Sequence, residues 1–99
     1  MTTDRELLEM AAKAARYQYA KHGGYIVVDG IPGNWNPLSD DGDALRLAVK
    51  LEIDLWFGCG GLSAHGLAMD IGEDYGRDPY AATRRAIVRA AAAIGKAMK

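Results

Sequence analysis

The closing 22 residues, Asp78 to Lys99, limit the fold more than any other stretch of the chain. Asp78 is an N-cap residue, and Pro79 occupies the first helical position, where its missing N–H costs nothing. The alanine-rich run behind them has high helix propensity. At about 100° per residue, Tyr80, Thr83, Ile87, Ala90, Ile94 and Met98 share one face, while Arg84, Arg85, Arg89, Lys96 and Lys99 share the other. Such a helix is either docked on a core by its apolar face or built to meet something acidic. The first alternative predicts that Tyr80, Ile87, Ile94 and Met98 cover a sheet.

Charge sharpens the choice. The chain carries a net charge of −1 over 99 residues, so it has no general bias toward nucleic acid. The distribution is uneven. Residues 77–99 hold six basic side chains against Asp78 alone, whereas residues 29–54 hold six acids against Arg46 and Lys50. This opposition points to pairing within the fold or across a dimer, with a polyanion site as the sharper alternative. Arg84, Arg85 and Arg89 are the candidate interaction residues: Arg85 and Arg89 lie one turn apart, and arginine forks suit phosphates. No aromatic residues are interleaved with them for base stacking.

Upstream, Thr3 and Glu6 form a capping-box pattern at the start of a helix expected from Asp4 to about Lys21, ended by His22-Gly23-Gly24. Its last histidine suits the negative helix terminus. Tyr25-Ile26-Val27-Val28 reads as a strand. Asp29-Gly30 and Pro32-Gly33-Asn34 are turn signals. The segment Gly33 to Leu38 is too rich in breakers for a central strand, and Trp35 within it is expected to plug it onto the core while remaining an interaction candidate. Ser39 or Asp40 caps a second helix, Asp41 to about Leu51. Glu52 to Phe57 and Ala64 to Ile71 read as two strands joined through Gly58-Cys59-Gly60-Gly61, with Leu67, Met69 and Ile71 on one side. Gly72 to Arg77 is expected to be a polar loop, and Trp56 and Phe57 to be core.

The fold class is therefore α+β: one domain spanning 1–99, a small three-stranded sheet covered by helices, in the order α-β-α-β-β-α. An open strand edge in such a sheet invites a second copy, so a homodimer is expected.

Site chemistry is sparse. Asp40-Asp41-Gly42-Asp43 lacks the EF-hand spacing and its twelfth-position glutamate, so helix capping explains these acids and no metal is expected. Gly58-Cys59-Gly60-Gly61 has no Walker lysine. Cys59 and His65 are the one pair that would serve as nucleophile and base, a weak pattern beside a glycine turn with an inert cysteine. No catalytic residue and no cofactor is assigned. The lone cysteine, the polar N-terminus and the lack of an ~18-residue apolar run predict a cytoplasmic protein with no signal peptide and no membrane span.

The segments Trp35 to Leu51 and Asp78-Pro79 with Ala81 to Ala91 are similar to motifs of small tailed-phage and prophage proteins, the phage α-β-α sandwich domain family. They cover roughly a third of the chain. The resemblance implies a phage or prophage origin and a helix-sheet-helix architecture, with no assigned activity. The expected function is a non-catalytic protein-interaction module, an accessory protein acting on a macromolecular partner in the host cytoplasm. The alternative is a nucleic-acid-binding module using the basic face of the last helix.

Overall fold

The final helix is the element around which the others assemble. In a computed structural model that describes residues 3–22, 25–31 and 33–98, the chain runs α1 (Asp4–Ala14), β1 (Tyr19–His22), β2 (Tyr25–Val28), β3 (Asn34–Trp35), α2 (Asp41–Lys50), β4 (Asp54–Phe57), β5 (Gly61–His65), β6 (Asp70–Asp74) and α3 (Pro79–Ala97). The class is α+β. Its order is α-β-β-β-α-β-β-β-α, with two small antiparallel sheets, β1-β2-β3 and β4-β5-β6, where the sequence suggested one.

α3 packs against α1, α2, β5 and β6. Ile87 is buried as the helical periodicity predicts. So are Ala82, Ala86, Val88, Ala90, Ala91, Ala92 and Gly95, so the helix is covered on more than one side. Tyr80 corrects the expected apolar face: it is 72% exposed and covers no sheet. One core runs through the molecule, joining Ile26, Val28 and Trp35 of the first sheet to Leu47 of α2 and to Leu62, Ala64 and Ile71 of the second sheet.

Helix starts follow local chemistry. The Thr3 hydroxyl accepts from the Glu6 N–H at 3.2 Å, and the Glu6 carboxylate accepts from the Thr3 N–H, which completes the capping box. The Thr3 backbone bond, then its hydroxyl, holds the Glu6 carboxyl below its ordinary value of 4.5. The contribution of the box is thus full above that value and is lost as the pH falls through the lowered one. Asp40 caps α2 through the Asp43 N–H at 2.8 Å, and Asp78 caps α3 through the N–H groups of Tyr80 and Ala81.

The end of α1 does not follow the sequence reading, whereas α2 ends within one residue of the expected Leu51. α1 stops at Ala14 instead of Lys21, and 19–22 is the strand β1, paired with β2 from Tyr19↔Val28 to His22↔Tyr25. Gly23 and Gly24, expected to end the helix, lie outside the described residues, as does Pro32 of the next turn signal. The stop is made by Arg16 in the left-handed conformation, φ 58°. Its N–H donates to Lys13 O and the next, from Tyr17, to Ala12 O, a Schellman pair. α2 ends in the same way: Glu52 has φ 53°, and the N–H groups of Glu52 and Ile53 donate to Val49 O and Ala48 O. A left-handed residue with a Cβ costs ~1–2 kcal/mol, while glycine adopts that conformation freely. Arg16→Gly and Glu52→Gly should therefore each raise stability by about 0.5–1 kcal/mol, read as a higher urea midpoint at unchanged slope. A lower midpoint would mean that these side chains contribute more than their backbone costs.

The second sheet also differs from expectation. Ala64 to Ile71 is not one strand, because residues 66–69 turn between β5 and β6. Leu67 and Met69 are exposed in that turn, and Gly72 to Asp74, expected as loop, belong to β6. The glycine-rich segment does close the β4–β5 hairpin, with the Gly58 N–H donating to Gly61 O at 2.9 Å. Gly61 must lack a side chain, since a Cβ there would lie 2.4 Å from Glu73 O on the neighbouring strand. Asn34 and Trp35 form a two-residue strand on the edge of β2, the most that their breaker-rich surroundings allow.

Candidate interaction surface

The three candidate arginines are engaged within the fold. Arg84, on the side of α3 facing α2, donates from Nε to Leu38 O at 2.9 Å and from Nη1 to Asp41 Oδ1 at 2.6 Å. Its side chain is only 17% exposed. Asp41 opens α2, so this pair is one that the acidic middle of the sequence anticipates. Arg85 reaches Asp4 Oδ1 of α1 at 3.4 Å, with both partners well exposed. Arg89 pairs with Glu73 of β6 and donates to Gly72 O. The partners of Arg85 and Arg89 come from outside the acidic stretch, from strand and helix positions that nothing in the local sequence links to them.

These pairs differ in weight. Arg84 uses two faces of its fork at once, one on a carbonyl and one on a carboxylate, and the planar geometry cannot be reproduced by an ammonium. Arg84→Lys should lower stability by about 1 kcal/mol, and a double-mutant cycle with Asp41→Asn should return a coupling energy of about 0.5–1 kcal/mol. The corresponding cycle for Arg85 and Asp4 should return next to nothing, since exposed pairs are heavily screened. Equal coupling in the two cycles would overturn this ranking.

The acids of the Asp40-Asp41-Gly42-Asp43 run act structurally. Asp40 caps the helix and Asp41 holds Arg84. Asp43, 4% exposed, accepts from the Asn36 N–H at 3.0 Å and pairs with Arg46 at 2.7 Å. Among the described residues no group of three or more His, Cys, Asp or Glu side chains is placed to hold a metal ion. Cys59 is exposed on the hairpin turn, whereas His65 ends β5 at the opposite end of the strand and binds Asp70 Oδ1 through Nδ1 at 3.0 Å. The two do not converge. Trp35 is a core plug, 1% exposed, edge-on to Tyr17 at 5.6 Å, and presents no surface to a partner. Burial raises the Tyr17 hydroxyl above its usual pKa; Arg46 opposes this and Asp43 adds to it, each to a smaller extent.

The surface that sequence reasoning missed is an apolar groove of about 400 Å³. α2 supplies Leu45, β4 supplies Leu55 and Phe57, and α3 supplies Tyr80 and the buried Ile87, with Tyr75 between β6 and α3. The charged pair Arg84–Asp41 lies on its margin, already neutralised. Leu45, Phe57 and Tyr80 are each more than 60% exposed. Trp56, on the other face of β4, is 66% exposed and rests against the His65 ring at 4.8 Å. Both β4 aromatics therefore correct the expectation that they lie in the core. The residues that build the groove are apolar and widely separated in the chain, so the signal was an excess of large apolar residues on α2 beyond what one buried face requires. Among the described residues no helix is long and apolar enough to cross a membrane.

Compared with protein-family models, curated proteins and solved structures, the chain matches none of them.

Proposed function

We propose that the chain is a non-catalytic protein-interaction module that docks apolar side chains of a protein partner in the groove between α2, β4 and α3. The observation that carries this reading is the groove itself: a concave apolar surface whose rim residues Leu45, Phe57 and Tyr80 stand out in solvent. Large exposed apolar residues gathered around one depression mark an interaction site. The module is placed among phage or prophage accessory proteins acting in the host cytoplasm on the resemblance of the Trp35–Leu51 and Asp78–Ala91 segments alone. The ion pairs of Arg84, Arg85 and Arg89 weigh against the nucleic-acid alternative, which needs cations free to displace counterions.

The test uses immobilised protein as bait in a lysate of its source cells, beside a Leu45→Asp/Tyr80→Asp variant. Both side chains are exposed, so the variant should keep its thermal transition. Proteins retained by the unaltered bait should be lost at least tenfold from the variant. Undiminished retention by a folded variant would overturn the groove as the docking surface. A DNA and RNA titration at two salt concentrations should show no binding at micromolar protein. Salt-sensitive binding abolished by alanine at Arg84, Arg85 and Arg89 would favour the alternative instead.

A further inference from the structure

We propose that β4 pairs edge to edge with β4 of a second copy of this chain, antiparallel, across a two-fold axis that passes through Trp56. The inference rests on the reading of this face as a docking surface and names its partner. It starts from the unequal edges of the second sheet. β6, one edge, carries Asp70, Glu73 and Asp74, the kind of charged guard that keeps an edge from pairing. β4, the other, reads Asp54-Leu55-Trp56-Phe57, with one charge at its beginning and three large apolar residues after it.

Two independent parities select the register. The first is hydrogen bonding. Gly58 donates to Gly61 O across the hairpin, so by the alternation of an antiparallel ladder residues 58, 56 and 54 turn their backbone groups to β5. Leu55 and Phe57 then turn theirs to the open edge. The second is side-chain direction: Leu55 and Phe57 line the groove on one face of the sheet, and Trp56 projects from the other. Pairing about Trp56 satisfies both. Leu55 meets Phe57 of the second copy in a hydrogen-bonded pair, twice over by symmetry, and every outward N–H and C=O of these residues gains a partner. Trp56 meets its own copy on the opposite face. Asp54 meets Gly58, so no two acids face each other. Because Leu55 and Phe57 are also walls of the groove, the second copy brings its own Leu55 and Phe57 against them.

The exposed area suits a dimer. Trp56, Phe57 and Tyr80 are 66%, 63% and 72% exposed. With ~150–250 Å² per aromatic side chain, they leave ~400 Å² per copy, so ~800 Å² between two copies. That is about half of a standard interface of ~1,600 Å², before Leu45 and the strand backbones are added.

A cysteine scan in a Cys59→Ser background tests the register. Trp56→Cys places two thiols on the axis in a non-hydrogen-bonded pair, Cα atoms ~4.5 Å apart, within the ~4.4–6.8 Å of disulfides. It should cross-link to a covalent dimer on mild oxidation. Asp54→Cys, opposite residue 58 and so ~13 Å from its own copy, should not. Light scattering of the unaltered protein should report twice the 10.7 kDa chain mass. Trp56→Lys, with like charges opposed on the axis and no change to the core, should return it to the single-chain mass. A concentration-independent single-chain mass of the unaltered protein, no Trp56→Cys cross-link, or equal cross-linking through Asp54→Cys would overturn the proposal. Should the protein prove monomeric while the Leu45→Asp/Tyr80→Asp variant still loses captured proteins, the self-pairing falls and the docking groove stands.

Discussion

Gly95→Ala should lower stability by about 3 kcal/mol and the melting temperature by roughly 12–24 °C. On an exposed helix surface the same change would stabilise by about 1 kcal/mol, since alanine is the better helix former. The sign reverses because of what faces this position. A Cβ on Gly95 would lie 2.0 Å from Met10 O and 2.8 Å from Met10 C, both backbone atoms of α1. A side chain in the way can turn aside, but a helix backbone cannot. To admit the methyl group, α1 and α3 must separate by more than 1 Å where Gly95 lies against Met10 and Ala14, between two helices whose buried residues are mostly alanines. Separation loosens the methyl contacts between the helices, and such contacts lose much of their energy over that distance. Urea unfolding monitored by circular dichroism measures the effect, with the neighbouring surface change Lys96→Ala as a control that should stay within about 0.5 kcal/mol. A Gly95→Ala variant as stable as the parent would show that the helices do not approach so closely.

The same glycine shows where the sequence was legible and where it was not. Signals confined to a few residues were readable: the Thr3–Glu6 box, the Asp40 cap, the Asp78-Pro79 start and the β4–β5 hairpin all rest on partners at most a few positions apart. The end of α1 was not, because Arg16 takes the left-handed position where glycine is the usual marker, while the end of α2 was readable to within one residue even though Glu52 holds the same position there. Gly95 is a glycine inside an otherwise alanine-rich helix, a signal of close approach that periodicity alone passes over. The exposure of Trp56 and Phe57 was illegible for a different reason. A four-residue strand shows apolar character, but whether either face is covered depends on elements placed elsewhere in the chain. The groove has the same origin, since Leu45, Phe57 and Tyr80 meet only after α2, the second sheet and α3 have packed. The basic face of α3 was visible at once, yet its chemistry was decided by Asp4, Asp41 and Glu73, 81, 43 and 16 residues away.

Trp35→Ala should cost about 4 kcal/mol, while Trp35→Phe should cost no more than ~1–2 kcal/mol. The strand that carries Trp35 has two residues, so its place in the fold depends on the side chain more than on the ladder. That side chain is fully buried and stands nearly perpendicular to the Tyr17 ring, at 84°, in the favoured edge-to-face arrangement. Alanine leaves a cavity beneath the loop, whose remaining ties are the Asn36–Asp43 and Arg84–Leu38 hydrogen bonds and the buried Pro37. Phenylalanine keeps an aromatic edge for Tyr17 and fills most of the space. It also removes Nε1, which finds no hydrogen-bond acceptor among the described residues. A buried unpaired N–H costs ~1–3 kcal/mol, so its removal offsets part of the lost volume. The alanine variant should further release the next residue: Asn36 donates its N–H to Asp43, the buried acid that also holds Arg46 at the start of α2. Faster hydrogen exchange at the Asn36 amide in Trp35→Ala, with near-parental exchange in Trp35→Phe, is the expected pattern. Equal losses of stability in the two variants would mean that the indole N–H, and not the ring, secures this loop.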